Sequence, residues 1–206
     1  MKKFKFSIIG SAILFLVVFS GNALAEMKAG VFSLSPSVGG YVFDGGQNLS
    51  NGPVYGLGLG YNYTKNLGVE AVFNYIDTES VSPNGGDAKG YIYRIDGLYH
   101  LMPDKQFVPY VTAGVGAITL DDDVKGSNTD PLFNYGVGFK YFLTEFLAFR
   151  GDIRHIYSFN ASNNNFAYTF GLTLLFGGKV SPPPPAPAPQ PSPPPIPEDS
   201  DGDGVY

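Results

Sequence analysis

The chain of 206 residues contains no cysteine and no tryptophan. Without thiols it can form no disulfide staple, thiol nucleophile, zinc–thiolate site or iron–sulfur cluster. Charge is scarce, at 15% of residues. No stretch after residue 25 carries 18 consecutive apolar residues, so helices that cross a membrane are excluded. No 3.6-residue periodicity persists either, and helical bundles go with it. What the chain does have is 27 Gly, 17 Phe and 14 Tyr, with 44% of residues hydrophobic, which sets it apart from an acidic, aromatic-poor disordered chain. Eleven of the 17 prolines lie between Pro182 and Pro197, leaving a coherent Gly- and aromatic-rich body before them.

At the N-terminus Lys2, Lys3 and Lys5 precede an apolar run from Ile8 to Phe19, and Ala23-Leu24-Ala25 supplies small residues for cleavage. This predicts a secretory signal peptide over residues 1–25, cut before Glu26. The run falls short of the roughly 20 residues a span needs, so a retained anchor is disfavoured. Removing 1–25 takes away three positive charges and no negative ones, moving the net charge from −5 to −8. An acidic exported chain is not expected to bind nucleic acid.

Along the body the hydrophobicity alternates with a period of two, the mark of strands. In the last segment Phe166, Tyr168, Phe170, Leu172, Leu174 and Phe176 share one face, and Ala167, Thr169, Gly171 and Thr173 the other. Tyr55, Leu57, Leu59, Tyr61 and Tyr63 alternate with Gly56, Gly58, Gly60 and Asn62. Similar phases run through Val69 to Tyr75, Tyr91 to Tyr99 and Phe133 to Tyr141. Weaker strands are expected over residues 28–43, 108–120 and 147–157, which brings the number to eight. The connections are expected to alternate in length. Long polar links are assigned to 44–52, 78–89, 121–131 and 160–165, and tight ones to 64–66, 103–105 and 144–145.

Alternation alone leaves two options, because a soluble β protein would turn its aromatic face inward. Volume decides between them. Eight closed strands enclose an interior that side chains just fill. It has room for rows such as Gly56, Gly58 and Gly60 but not for dozens of Tyr, Phe and Leu side chains. The aromatic face therefore points outward, which lipid tolerates, and closure removes the sheet edges that hydrocarbon cannot satisfy. The predicted fold is all-β: a transmembrane eight-stranded antiparallel up-and-down β-barrel, its lumen polar and glycine-lined.

This order of signal peptide, eight strands, alternating loops and Pro-rich segment resembles the OmpA-type outer-membrane barrel over about Met27 to Lys179. The ending Tyr168-Thr-Phe170-Gly171-Leu-Thr-Leu174-Leu-Phe176 looks like the aromatic-terminated signal read by the barrel-assembly machinery, and is equally explained as a final lipid-facing strand. The domain plan is then 1–25 signal peptide, 26–179 barrel, 180–198 Pro-rich periplasmic linker and 199–206 the start of a calcium-binding repeat. The resemblance implies a Gram-negative outer-membrane location with the tail in the periplasm. Outer-membrane lipid, lipopolysaccharide and the assembly machinery are the implied partners.

Seven charged residues fall on the inward phase: Glu70, Arg94, Asp96, Lys140, Arg150, Asp152 and Arg154. Four positive and three negative charges nearly cancel. Because an unpaired buried ion costs several kcal/mol, they are expected to pair across the lumen and plug it. Acidic–basic pairs across the lumen are also what the family resemblance implies. A gated narrow pore is the sharper alternative; a porin-sized channel is excluded by the strand number.

His155 and Ser158 near the end of the seventh strand raise the possibility of a lipid A-modifying enzyme. Three residues apart on a strand they face opposite ways, and no carboxylate stands ready to orient the histidine. His155 is expected as an interfacial polar residue beside an aromatic, and His100 likewise near the opposite turn. Asp121-Asp122-Asp123 and Asn163-Asn164-Asn165 are read as solvated loop.

From Ser181 to Pro197 the sequence favours extended polyproline II. Asp199, Asp201 and Asp203, with Gly204 and the carbonyl of Val205, match the first positions of a calcium loop. They resemble the opening of a thrombospondin type-3 repeat, which in related proteins joins the barrel to a peptidoglycan-binding domain. Calcium and peptidoglycan are therefore partners only of a chain continuing past Tyr206, and a truncated frame is favoured over a natural short form. No cofactor is expected for the barrel. The resulting expectation is a non-enzymatic outer-membrane structural protein supporting envelope integrity.

Overall fold

The structure is a computed structural model that describes residues 26–81, 86–122, 126–160 and 162–177. The expected signal peptide, Pro-rich linker and calcium half-loop lie outside the described residues. Eight strands follow one another: β1 (Val31–Val42), β2 (Gly52–Asn62), β3 (Leu67–Glu79), β4 (Asp87–His100), β5 (Phe107–Asp122), β6 (Gly126–Phe142), β7 (Leu147–Ser158) and β8 (Asn163–Gly177). Each pairs antiparallel with its neighbour in sequence, and β1 pairs with β8 from Val31↔Gly177 to Val42↔Phe166, closing the barrel. That seam skips Ser35 and Pro36, where proline has no N–H to give. Closure satisfies the ladder without water, as an apolar surround requires.

The outer wall follows the alternation. Ile95, Val115 and Ile153 are each about 60% exposed, as are Phe32 and Leu59; such a surface is stable only against lipid. Aromatic rings on neighbouring strands pack along it, with Phe149 stacked on Phe170 at 6.3 Å and Phe73 tilted against Tyr93 at 5.3 Å.

Two expectations are corrected. The polar stretch 121–131 is largely strand, since β5 runs to Asp122 and β6 resumes at Gly126; β8 already begins at Asn163. Links 101–106 and 159–162 therefore do not sort by length in the expected way. The apolar alternation stops there, but backbone pairing does not depend on it: β5 and β6 stay in register from Thr119↔Thr129 to Asp122↔Gly126, and the hydroxyls of Thr119 and Thr129 hydrogen-bond at 2.9 Å.

The second correction concerns the interior, which is not only small and polar. Toward the end carrying link 43–51, called here the loop end, Tyr41, Phe43, Val54, Ile76, Ile92, Ile118, Leu132, Ile156 and Ala167 form a buried apolar layer. Toward the opposite turn end Met27, Val31, Val108, Phe142, Ala148 and Leu175 form another. Large side chains fit because glycine sits beside them on the neighbouring strand: a Cβ on Gly90 would lie 3.1 Å from Ile76, and one on Gly138 2.5 Å from the Tyr110 ring.

Candidate functional site: the charged layer of the lumen

Between the two apolar layers lies the charged layer. Residues two apart on a strand share a face, so β4 presents Arg94 and Asp96 inward while β7 presents Arg150, Asp152 and Arg154. Across neighbouring strands the register sets like charges side by side, Glu70 beside Asp96 and Lys140 beside Arg150. Such pairs repel; compensation comes along the same strand, from Arg94 to Asp96 and from Asp152 to Arg150, and from the opposite wall, where Arg154 meets Asp96 and Arg150 meets Glu70.

The result is one continuous ladder. Arg94 Nε donates to Asp96 Oδ2 at 2.9 Å, and Arg154 Nη1 donates to the same oxygen at 2.8 Å. Arg154 Nη2 reaches Asp152 Oδ1 at 3.2 Å, and Arg150 Nε donates to Asp152 Oδ2 at 2.6 Å. Arg150 then grips Glu70 with two parallel bonds of 2.6 and 2.9 Å, the fork geometry in which guanidinium and carboxylate match best. Three Arg thus alternate with three carboxylates.

Neutral groups complete the layer. Asn134 donates to Asp96 at 2.9 Å and accepts from Arg154 at 2.8 Å, while Asn74 accepts from Arg94 at 2.5 Å. Lys140 stands outside the ladder. Its Nζ lies 3.2 Å from His100 Nε2 and 5.6 Å from the centre of the Tyr110 ring, and Arg150 approaches that same ring at 5.5 Å, within cation–π range. Inward glycines make room: a Cβ on Gly58 would sit 2.5 Å from Glu70 Oε1, and one on Gly114 would collide with Asp96. The void left among Tyr41, Asn74, Arg94, Arg154 and Thr169 is about 10 Å³, which holds one water at most.

All seven sequence-predicted charges are brought to this layer. Parity also placed Asn74, Asn134, Tyr110 and His100 here, but the expectation for His100 was an interfacial side chain. It is instead fully buried in the lumen, because it shares the phase of Arg94 and Asp96. His155 faces outward between the rings of Tyr135 and Phe166, at 5.1 and 4.9 Å. Ser158 is buried on the inner face, so the two have no common site. On β8, Tyr168, Phe170 and Phe176 face outward, Leu174 does so half-buried, and Gly171 packs against the β1 backbone. Among the described residues no group of three His, Asp or Glu could hold a metal ion. Asp44, which closes β1, went unremarked in the sequence. It caps the 3-10 turn Gly45–Gln47 and accepts from Asn164 N, while its own N–H donates to Asn165 Oδ1. The N–H groups of Asn164 and Gly46 hold its carboxyl below the usual range.

A closed eight-stranded antiparallel barrel with an apolar outer wall and an ion-paired lumen is an outer-membrane β-barrel. The chain belongs to the family described as outer membrane protein beta-barrel domain, whose model matches residues 11–176. It is 29% identical over 185 residues to outer membrane protein Omp38 of Acinetobacter baumannii, covering 77% of this chain and 52% of that protein. To outer membrane porin F of Pseudomonas aeruginosa it is 26% identical over 153 residues, covering 69% and 44%. The chain thus spans about half the length of the curated relatives it matches. Among solved structures the fold resembles Neisserial surface protein A (TM-score 0.61, 15% identity, 71% of this chain and 99% of that one). It also resembles OprG of P. aeruginosa (TM-score 0.58, 17% identity, 75% and 99%).

Proposed function

We propose that the chain is a closed, non-enzymatic outer-membrane barrel that supports envelope integrity, with residues 180–198 as a periplasmic linker directed toward a peptidoglycan-binding module. The observation that supports this reading is the filling of the lumen among the described residues: three Arg paired with three carboxylates, an apolar layer above and below them, and beside Arg94 and Arg154 a void of about 10 Å³. A conducting pathway would have to displace all three layers. The non-enzymatic part is supported by His155 and Ser158 facing opposite sides of β7. In this reading the loop end faces outward beside lipopolysaccharide, and β8, with Tyr168, Phe170, Gly171, Leu174 and Phe176, is what the assembly machinery reads.

A narrow pore is the second reading, favoured by the relative named porin F and by the charged layer a small ion would meet. Single-channel recording of the refolded barrel separates the two. The sealed reading expects no large, stable conductance, and a sustained open level would replace it with the pore.

A further inference from the structure

The outer wall has one feature that its role as a lipid-facing surface does not explain. Register aligns two rows of outward side chains across the barrel. One runs Gly97, Ala113, Tyr135, His155 and Phe166. The next runs Tyr99, Val111, Val137 and Ile153. The first row starts small and ends aromatic, and between the rows lies an open, shallow furrow of about 730 Å³, comparable in volume to small-molecule sites, roughly 300–1,000 Å³.

The barrel does not close this gap, although it closes a similar one elsewhere. Gly151 also faces outward, yet a Cβ there would lie 2.7 Å from the Phe139 ring, with Phe170 beside it. Neighbouring aromatics cover that glycine. At Gly97 the nearest atom to a Cβ would be the Ala113 carbonyl oxygen at 3.8 Å, so its gap is left open. At the furrow's loop end His155 brings the wall's one imidazole among the described residues. The ring is half-buried on the outer face between Tyr135 and Phe166 and lines the furrow with them.

We propose that this furrow binds one acyl chain of the lipid A part of lipopolysaccharide, with the imidazole of His155 hydrogen-bonding an ester or hydroxyl near the head of that chain. The furrow is continuous with the lipid-facing wall, so its occupant comes from the bilayer. An extended peptide is disfavoured, because every strand here is paired on both sides and no backbone group is free to receive it. Polarity sets the direction: the imidazole lies near Ser158 at the loop end, and the apolar floor descends toward Leu67 and Tyr99 at the turn end. A lipid bound this way has its head in the leaflet at the loop end. Lipid A as its source rests on the reading that this end faces outward.

The test uses the full chain refolded in mixed micelles holding deep-rough lipopolysaccharide and phosphatidylethanolamine in equal amounts, with native mass spectrometry of the retained lipid. The wild type is expected to keep one lipopolysaccharide. Gly97→Leu with Ala113→Leu fills the furrow from the lipid side and is expected to lower retention at least tenfold. His155→Phe keeps the ring stack, removes the nitrogens and is expected to lower it severalfold, which decides the matter should the double variant not fold. Retention unchanged in the folded variants, or a preference for phosphatidylethanolamine, overturns the proposal. Orientation is read separately, with single cysteines at Gln47 and Thr64 labelled on intact cells by an impermeant maleimide. Label at Gln47 with no bound lipopolysaccharide sinks the furrow alone, whereas label at Thr64 sinks the outward-facing reading and with it the lipid A assignment.

Discussion

Replacing Arg150 with alanine removes the guanidinium that holds two of the three carboxylates in the lumen. Glu70 loses both bonds of its fork, and Asp152 loses its 2.6 Å contact while keeping the longer one to Arg154. Breaking a buried pair by deleting one partner costs about 3–5 kcal/mol, because the charge left behind is neither solvated nor paired. At about 1.4 kcal/mol per decade that is two to more than three orders of magnitude in the folding constant. Lys140→Met is the internal control. Lys140 is as deeply buried, but no carboxylate among the described residues pairs with it, and removing it leaves three Arg against three carboxylates in this layer. Its loss is expected to change stability by less than about 1 kcal/mol, or to raise it, since an uncompensated buried charge carries a desolvation penalty. The double variant Glu70→Gln, Arg150→Met should recover much of what Arg150→Ala loses. Because the chain has no tryptophan, urea titration of the barrel refolded in micelles is best followed by circular dichroism and gel mobility. Equal losses for Arg150→Ala and Lys140→Met, or a loss below about 1 kcal/mol for the former, would refute the ledger.

Gly39 and Gly97 should respond oppositely to alanine. At Gly39 a Cβ would collide with the Tyr168 carbonyl across the β1–β8 seam, whereas at Gly97 its nearest neighbour would be the Ala113 carbonyl oxygen at 3.8 Å, an ordinary van der Waals contact. Gly39→Ala is expected to cost about 1–3 kcal/mol by overpacking, and Gly97→Ala to stay within about 0.5 kcal/mol in the same titration. Tyr41→Ala with Ile156→Ala thins the loop-end apolar layer and should produce brief conductance steps absent from the wild type; a silent double variant would place the seal in the charged layer instead. Link 43–51 should loosen in acid. The folded carboxyl of Asp44 titrates below its ordinary value, so its contribution is present above the unfolded value of about 4 and is lost as pH falls through the lower, folded one. The protection of the Gly46 and Asn164 amides, measured against the intrinsic exchange rate at each pH, should therefore fall in acid in the wild type, and an Asp44→Asn variant should show little of that change.

Much of the barrel was legible because the side-chain period of a strand is two. One inward residue, such as Arg94, assigns every even position of β4, and the same parity carried Glu70, Lys140 and the Arg150, Asp152, Arg154 triplet into the lumen. It also assigned Ile76, Ile92, Ile118 and Ile156 to the interior. They were overlooked because a branched aliphatic on the inward phase reads locally like any apolar strand residue. Loop length was misjudged for a related reason: polar residues such as Asn128 and Thr129 mark the end of the apolar band, not the end of backbone pairing.

Pattern therefore determined the fold class, the strand phases and which face meets lipid, since each depends on local alternation and on the volume eight strands can enclose. Partner choice needed the closed barrel. Glu70 and Arg150 are 80 positions apart, and β3 and β7 confront each other only because β1 joins β8. Closure likewise decided that Lys140 would meet His100 rather than a carboxylate, and that Gly97 would lie open while Gly151 is covered, because cross-strand register is a property of the whole ring of strands.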